Sequence, residues 1–72
     1  MLGRPGTITV GERLRDLRKS AGKSIEEVSN DTGIGRTALG NYENGLRMPR
    51  DKAKIALAQY FGKSVEEIFF SV

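Results

Sequence analysis

The sequence predicts an all-α fold of five short helices behind a brief N-terminal arm, and three observations carry that expectation. Apolar residues recur at steps of three and four along most of the chain, the period at which a helix turns one face to a core. Glycines close these stretches, and two of the stretches open on a serine with a glutamate three residues later. Those are the stop and start signals of helices. The chain has 72 residues, near the smallest size at which one hydrophobic core sustains a fold. A single domain is therefore expected over 10–72, with the arm at 1–9.

Each helix is dictated by its own residues. Gly3, Pro5 and Gly6 make the arm extended or unstructured, with Ile8 to Val10 able to pack onto the helices beyond it. Val10, Leu14, Leu17 and Ala21 recur at helical spacing and predict a first helix over about 12–21, with Gly22 as its C′ residue. Ser24 and Glu27 form a capping box that opens a second helix, whose inward stripe is Ile25, Val28, Ser29 and Thr32. Gly33 ends it. A third helix over about 36–43 turns Ala38, Leu39 and Tyr42 inward and stops at Gly45. After a loop from Leu46 to Arg50, a fourth helix over about 50–61 carries Ala53, Leu57, Ala58 and Phe61 on its core side. Pro49 fits just ahead of it. Gly62 stops this helix, and Ser64 with Glu67 caps a short final one to about residue 69.

Residues Gly22 to Val28 (Gly-Lys-Ser-Ile-Glu-Glu-Val) are echoed by Gly62 to Ile68 (Gly-Lys-Ser-Val-Glu-Glu-Ile). The intervals around the two segments differ and nothing else recurs, so the echo reads as one stop-and-start solution used twice. Gly-Lys-Ser also ends a phosphate-binding P-loop. That motif needs a glycine five positions before its last one, and Leu17 and Leu57 stand there.

Composition narrows the function. Without cysteine or histidine there are no disulfides, no thiolate metal ligands and no imidazole bases. No two carboxylates are placed to cooperate across a cleft. Glu26, Glu27, Glu66 and Glu67 read instead as charges opposing helix macrodipoles. Neither an enzyme, a metal, a cofactor nor a small-molecule ligand is expected. No apolar run approaches the ~20 residues of a membrane span, and residues Met1 to Val10 lack a signal peptide's apolar core. A soluble, cytoplasmic chain is expected. The net charge is +3, and its placement says more than its size. Between Arg36 and Lys54 stand Arg36, Arg47, Arg50, Lys52 and Lys54 against only Glu43 and Asp51. A basic face of that kind suits a polyanion.

The informative stretch, about 24–44, is a short helix, a tight glycine turn and another short helix. On the third helix Arg36, Thr37, Gly40, Asn41 and Asn44 form the outer stripe, with no acidic residue among them. An arginine suits guanine, an asparagine adenine, and a threonine a thymine methyl or a phosphate. Gly40 costs the helix about 1 kcal/mol relative to alanine. A face built against helix propensity points to a ligand.

These pieces together resemble the phage-repressor (Xre/Cro-type) helix-turn-helix family, over Val10 to Phe69. The likeness rests on the run from Gly11 to Arg18, Ala21 with Gly22, Ser24 with Glu26, Glu27 and Val28, and Gly33 with Ile34. It continues through Arg36 with Thr37, Tyr42 to Gly45, Pro49, and the run from Gly62 to Ile68. The resemblance implies a five-helix, lambda-repressor-like DNA-binding domain that regulates transcription, as a repressor, with the third helix in the major groove of double-stranded DNA. Arg36, Thr37 and Asn41 fall on the family's base-contacting positions. Gly35, Asn44, Arg47 and Arg50 fall where a DNA backbone contact is expected. Arg18 and Glu43 match a pair that forms a salt bridge in relatives. Ile25 stands where relatives often carry a glutamine that binds phosphate, and Gly35 where they carry a Ser or Thr cap.

One such helix spans too few base pairs to single out a site, so a two-fold homodimer is expected. Phe69, Phe70 and Val72 are the candidate contact, since all of them cannot turn inward at the end of the last helix. The arm, with Ile8 and Val10, is a second candidate, or reaches DNA through Arg4. The residues leave open an antitoxin or protein-interaction module that uses the same fold on a protein partner.

Overall fold

The computed structural model describes residues 9–70. Among them the chain forms α1 (Val10–Ser20), α2 (Ile25–Thr32), α3 (Arg36–Glu43), α4 (Asp51–Phe61) and a C-terminal π-helical turn (Glu66–Phe70), with no strand. The fold is all-helical with five helices, as the periodicity predicts.

Most boundaries obey local chemistry. The two serine capping boxes form in the same way. Ser24 Oγ accepts from the Glu27 amide at 3.0 Å while Glu27 Oε1 accepts from the Ser24 amide at 2.9 Å. Ser64 and Glu67 repeat the exchange at 3.1 and 2.8 Å. In each box the serine's hydrogen bonds hold the glutamate carboxyl below its ordinary value. Thr9, assigned from sequence to the arm, belongs to the domain. It caps α1 through a third box with Glu12, so α1 begins at Val10 rather than Glu12. Ala21, expected on the inner stripe of α1, is its exposed C-cap. Arg50 is the extended N-cap of α4, which starts one residue later than expected.

Leu14, Val28, Leu39, Tyr42, Leu57, Ala58, Ile68 and Phe69 make the core, so every helix contributes. Val10, Leu17, Ile25, Ile34, Ala38, Ala53 and Phe61 pack around it, partly covered. Arg13 ties α1 to the π-helical turn, its Nη1 donating to the Ile68 carbonyl at 2.6 Å. The end of the chain corrects one expectation. Phe69 is buried and so is no candidate dimer contact, whereas Phe70 is 64% exposed. A π-helix bonds from i to i+5 and rotates less per residue than an α-helix. Sequence neighbours Ile68 and Phe69 therefore share the inner face. Val72, Ile8 and Arg4 lie outside the described residues.

Candidate nucleic-acid interface

The turn between α2 and α3 is fixed by few atoms. Gly33 adopts φ 80° and ψ 3°, the left-handed region that a residue with a Cβ enters only at a cost. Its amide donates to the Ser29 carbonyl at 2.8 Å. Thr32 Oγ1 donates to the Val28 carbonyl at 2.7 Å and accepts from the Ile34 amide at 3.2 Å, closing the corner while Ile34 packs on the core. Gly35 then caps α3 without a side-chain acceptor, and the first turn of α3 carries no acidic residue. The amides there face outward at the positive end of the helix dipole.

Leu39 and Tyr42 hold α3 to the core, which leaves its other stripe outward. Arg36 and Thr37 are exposed, and Gly40 and Asn41 are half-buried. A Cβ added at Gly40 would meet nothing within 4 Å, so packing does not require the glycine. Arg36, Thr37 and Asn41 thus lie on one face of one short helix.

The C-terminal end of α3 is anchored by α1. A Cβ at Gly11 would stand 2.3 Å from the Glu43 carbonyl oxygen and 2.7 Å from that of Tyr42, so the two backbones touch there. Further along α1, Arg18 Nε donates to Glu43 Oε2 at 2.7 Å and its Nη2 to Oε1 at 3.0 Å, a bidentate pair largely out of solvent. Arg18 Nη1 also donates to the Lys23 carbonyl at 2.9 Å. The hydrogen bonds it donates to Glu43 hold the guanidinium above its ordinary value, that is, always charged. Arg15, which sequence reading missed, adds a contact of Nε to Glu43 Oε1 at 3.4 Å and donates from Nη2 to Asn44 Oδ1 at 2.7 Å.

The loop after α3 carries the basic side chains. The Asn41 carbonyl accepts from the Leu46 and Arg47 amides at 2.8 and 3.3 Å, so the start of the loop is bonded to the helix itself. Pro49 is buried. Arg47, Arg50 and Lys52 line one cleft of about 330 Å³ beside Thr32, Gly33 and Ile34. The structure therefore gathers Arg47 and Arg50 at the helix-turn-helix corner and adds Lys52, while Arg36 stands apart on α3. At the other end, Lys54 Nζ lies 5.0 Å from the Phe70 ring centroid. Among the described residues no cluster of carboxylates could hold a metal ion, and no helix is long and apolar enough to cross a membrane.

Comparison with known proteins agrees with this geometry. The structure matches that of the P22 c2 repressor in complex with synthetic operator 9T at a TM-score of 0.84, over 89% of this chain and 97% of that one, with 22% identity. The restriction-modification controller protein C.AhdI from Aeromonas hydrophila matches at 0.77, over 83% of this chain and 91% of that one, with 32% identity. In sequence, a Pyrococcus abyssi protein assigned as an HTH-type transcriptional regulatory protein is 34% identical over 55 residues, which is 76% of this chain and 17% of the relative. The chain spans less than a fifth of the curated relatives it matches (17% and 18%). The helix-turn-helix family matches residues 14–68, from the first core leucine to the buried Ile68. The chain belongs to the helix-turn-helix family.

Proposed function

We propose that this chain is a sequence-specific, double-stranded DNA-binding regulator of transcription, a repressor, that lays α3 in the major groove. The observation that carries the reading is the outward stripe of α3. It presents Arg36, Thr37 and Asn41, no acidic residue, and a Gly40 that packing does not need. A helix face without a ligand is filled with strong helix formers. In this reading Arg36 takes a guanine edge, Asn41 an adenine edge and Thr37 a thymine methyl. Gly35, Asn44, Arg47 and Arg50 hold phosphates on either side, which fixes the register of the helix. The helix-turn-helix family match and the relatives assigned as HTH-type transcriptional regulatory proteins support DNA as the ligand.

The working species is a cytoplasmic homodimer with Phe70 at its contact. α3 has 8 residues. At 1.5 Å per residue it is about 12 Å long and covers roughly three or four base pairs. Two copies related by a two-fold axis read a palindrome with half-sites ~34 Å apart. Phe70 is a large apolar side chain left outside the core at the C-terminal end.

Selection of bound sequences from a random duplex library tests the reading. The expected result is a palindromic consensus whose affinity falls steeply with salt, by about 0.9 in logarithmic slope per phosphate neutralised. Recovery of no consensus, with retention on duplex DNA insensitive to salt, would reject it.

A further inference from the structure

Gly11, Arg15 and Arg18 succeed one another at steps of four and three, so they share one face of α1. That face lies on the C-terminal end of α3, where Gly11 lets the backbones meet. Arg18 occupies both oxygens of Glu43, and Arg15 leans on Oε1 at 3.4 Å. Two guanidinium groups thus share one carboxylate, and the cluster keeps one positive charge in excess. The excess faces outward, because the Arg15 side chain is 40% exposed and that of Arg18 15%. The negative end of the α3 dipole favours a cation at this place.

Arg15 spends one donor on Asn44 Oδ1, at 2.7 Å. A guanidinium has donors only, so the amide facing it must present its oxygen and turn its NH2 group away. The bond is charge-assisted, and a cation on the oxygen polarises the amide toward a stronger N–H donor. A terminal amide torsion is otherwise broad, with two faces of comparable energy. One of them would present oxygen to a phosphate and repel it. With Arg15 holding the oxygen, exposed Asn44 turns its NH2 donors to whatever lies beyond α3.

We propose that Arg15 is a positioning residue for DNA-backbone binding, clamping the Asn44 amide so that its NH2 group donates to a phosphate. The inference rests on the proposed function, which gives Asn44 a phosphate contact. Arg15 acts through Asn44 and not as a phosphate ligand in its own right.

A double-mutant cycle over a salt series tests it, read by anisotropy titration on the selected duplex. The proteins are wild type, Arg15→Ala, Asn44→Ala and the double variant, each checked by urea melt. If Arg15→Ala does not fold, Arg15→Met keeps the aliphatic stem without donors and takes its place. Each single change is expected to weaken binding about tenfold, the worth of one hydrogen bond to a charged group. The double variant should lose little more than either single one, with the salt slope changed by well under one unit. Multiplicative losses of about a hundredfold, with the slope lowered by about one unit in Arg15→Ala, would make Arg15 a direct phosphate contact and overturn the proposal. Unchanged affinity in either single variant would overturn it as well. A wild type without salt-dependent duplex binding would remove the DNA reading itself, whereas multiplicative losses in a wild type that binds remove only the clamp.

Discussion

Glu43 has 8% side-chain exposure and meets both Arg15 and Arg18, so one carboxylate serves two cations at the junction of α1 and α3. Glu43→Ala strands the Arg18 guanidinium in a site that water reaches poorly. Breaking a buried pair in this way costs about 3–5 kcal/mol, against a total of roughly 5 kcal/mol for a domain of this size. Urea melts should show a variant with only about 0–2 kcal/mol left, its midpoint shifted far down toward zero denaturant. A midpoint close to wild type would reduce the pair to surface value, under ~1 kcal/mol. Tyr60 supplies a pH-dependent contact between α4 and α2. Its hydroxyl donates to Asp31 Oδ2 at 2.6 Å, and this bond above all pushes the phenol up from 10.0 to about 12. Because the folded value is raised, the contribution is fully present below pH 10.0 and is lost as pH rises through about 12. The difference in tyrosinate absorbance between wild type and Tyr60→Phe isolates this group. Its midpoint should lie near 12, and a midpoint near 10.0 would mean that the bond does not form in solution.

Two glycines inside helices have opposite reasons for being there, and the same substitution separates them. Gly11 touches the end of α3, so Gly11→Ala drives a Cβ into the Glu43 carbonyl and forces α1 away. A loss of about 1–3 kcal/mol or more is expected. Gly40 faces open space, so Gly40→Ala should gain about 1 kcal/mol from helix propensity. Urea midpoints moving in opposite directions are the expected result; a destabilised Gly40→Ala would mean that the face is not open. These cases also mark what was legible in the sequence. The serine capping boxes, the Gly33 corner and the outer stripe of α3 are local chemistry or simple periodicity, and reading them needs no tertiary knowledge. The start of α1 was legible too, as Thr9 with Glu12. Gly11 hid it, because glycine reads as a poor helix former and its value is a backbone contact 32 residues away. Arg15 is only another cation until α1 is laid across α3. Phe69 required the hydrogen-bond register of the last turn, which apolar spacing does not encode. The cleft of Arg47, Arg50 and Lys52 depends on the path of a loop rather than on any period.

A single copy measures 34 × 22 × 21 Å and presents α3 as one short helix of 8 residues. Sedimentation equilibrium should find a dimer at micromolar concentration, weakened by Phe70→Ser. A wild-type monomer with a non-palindromic footprint would contradict the dimer, and a dimer indifferent to Phe70→Ser would place the contact elsewhere. In the proposed reading the interface divides its labour, with α3 discriminating among bases and the basic residues beside it holding the backbone of any duplex. The most direct test compares Arg36→Ala and Arg47→Ala on the selected duplex and on a scrambled one, over a range of salt. Arg36→Ala should lose ~1–3 kcal/mol on the selected duplex and little on the scrambled one, relaxing preference at one or two base pairs. Arg47→Ala should weaken both duplexes alike and lower the salt slope by about one unit. If Arg36→Ala weakened both duplexes equally, α3 would not be reading the bases.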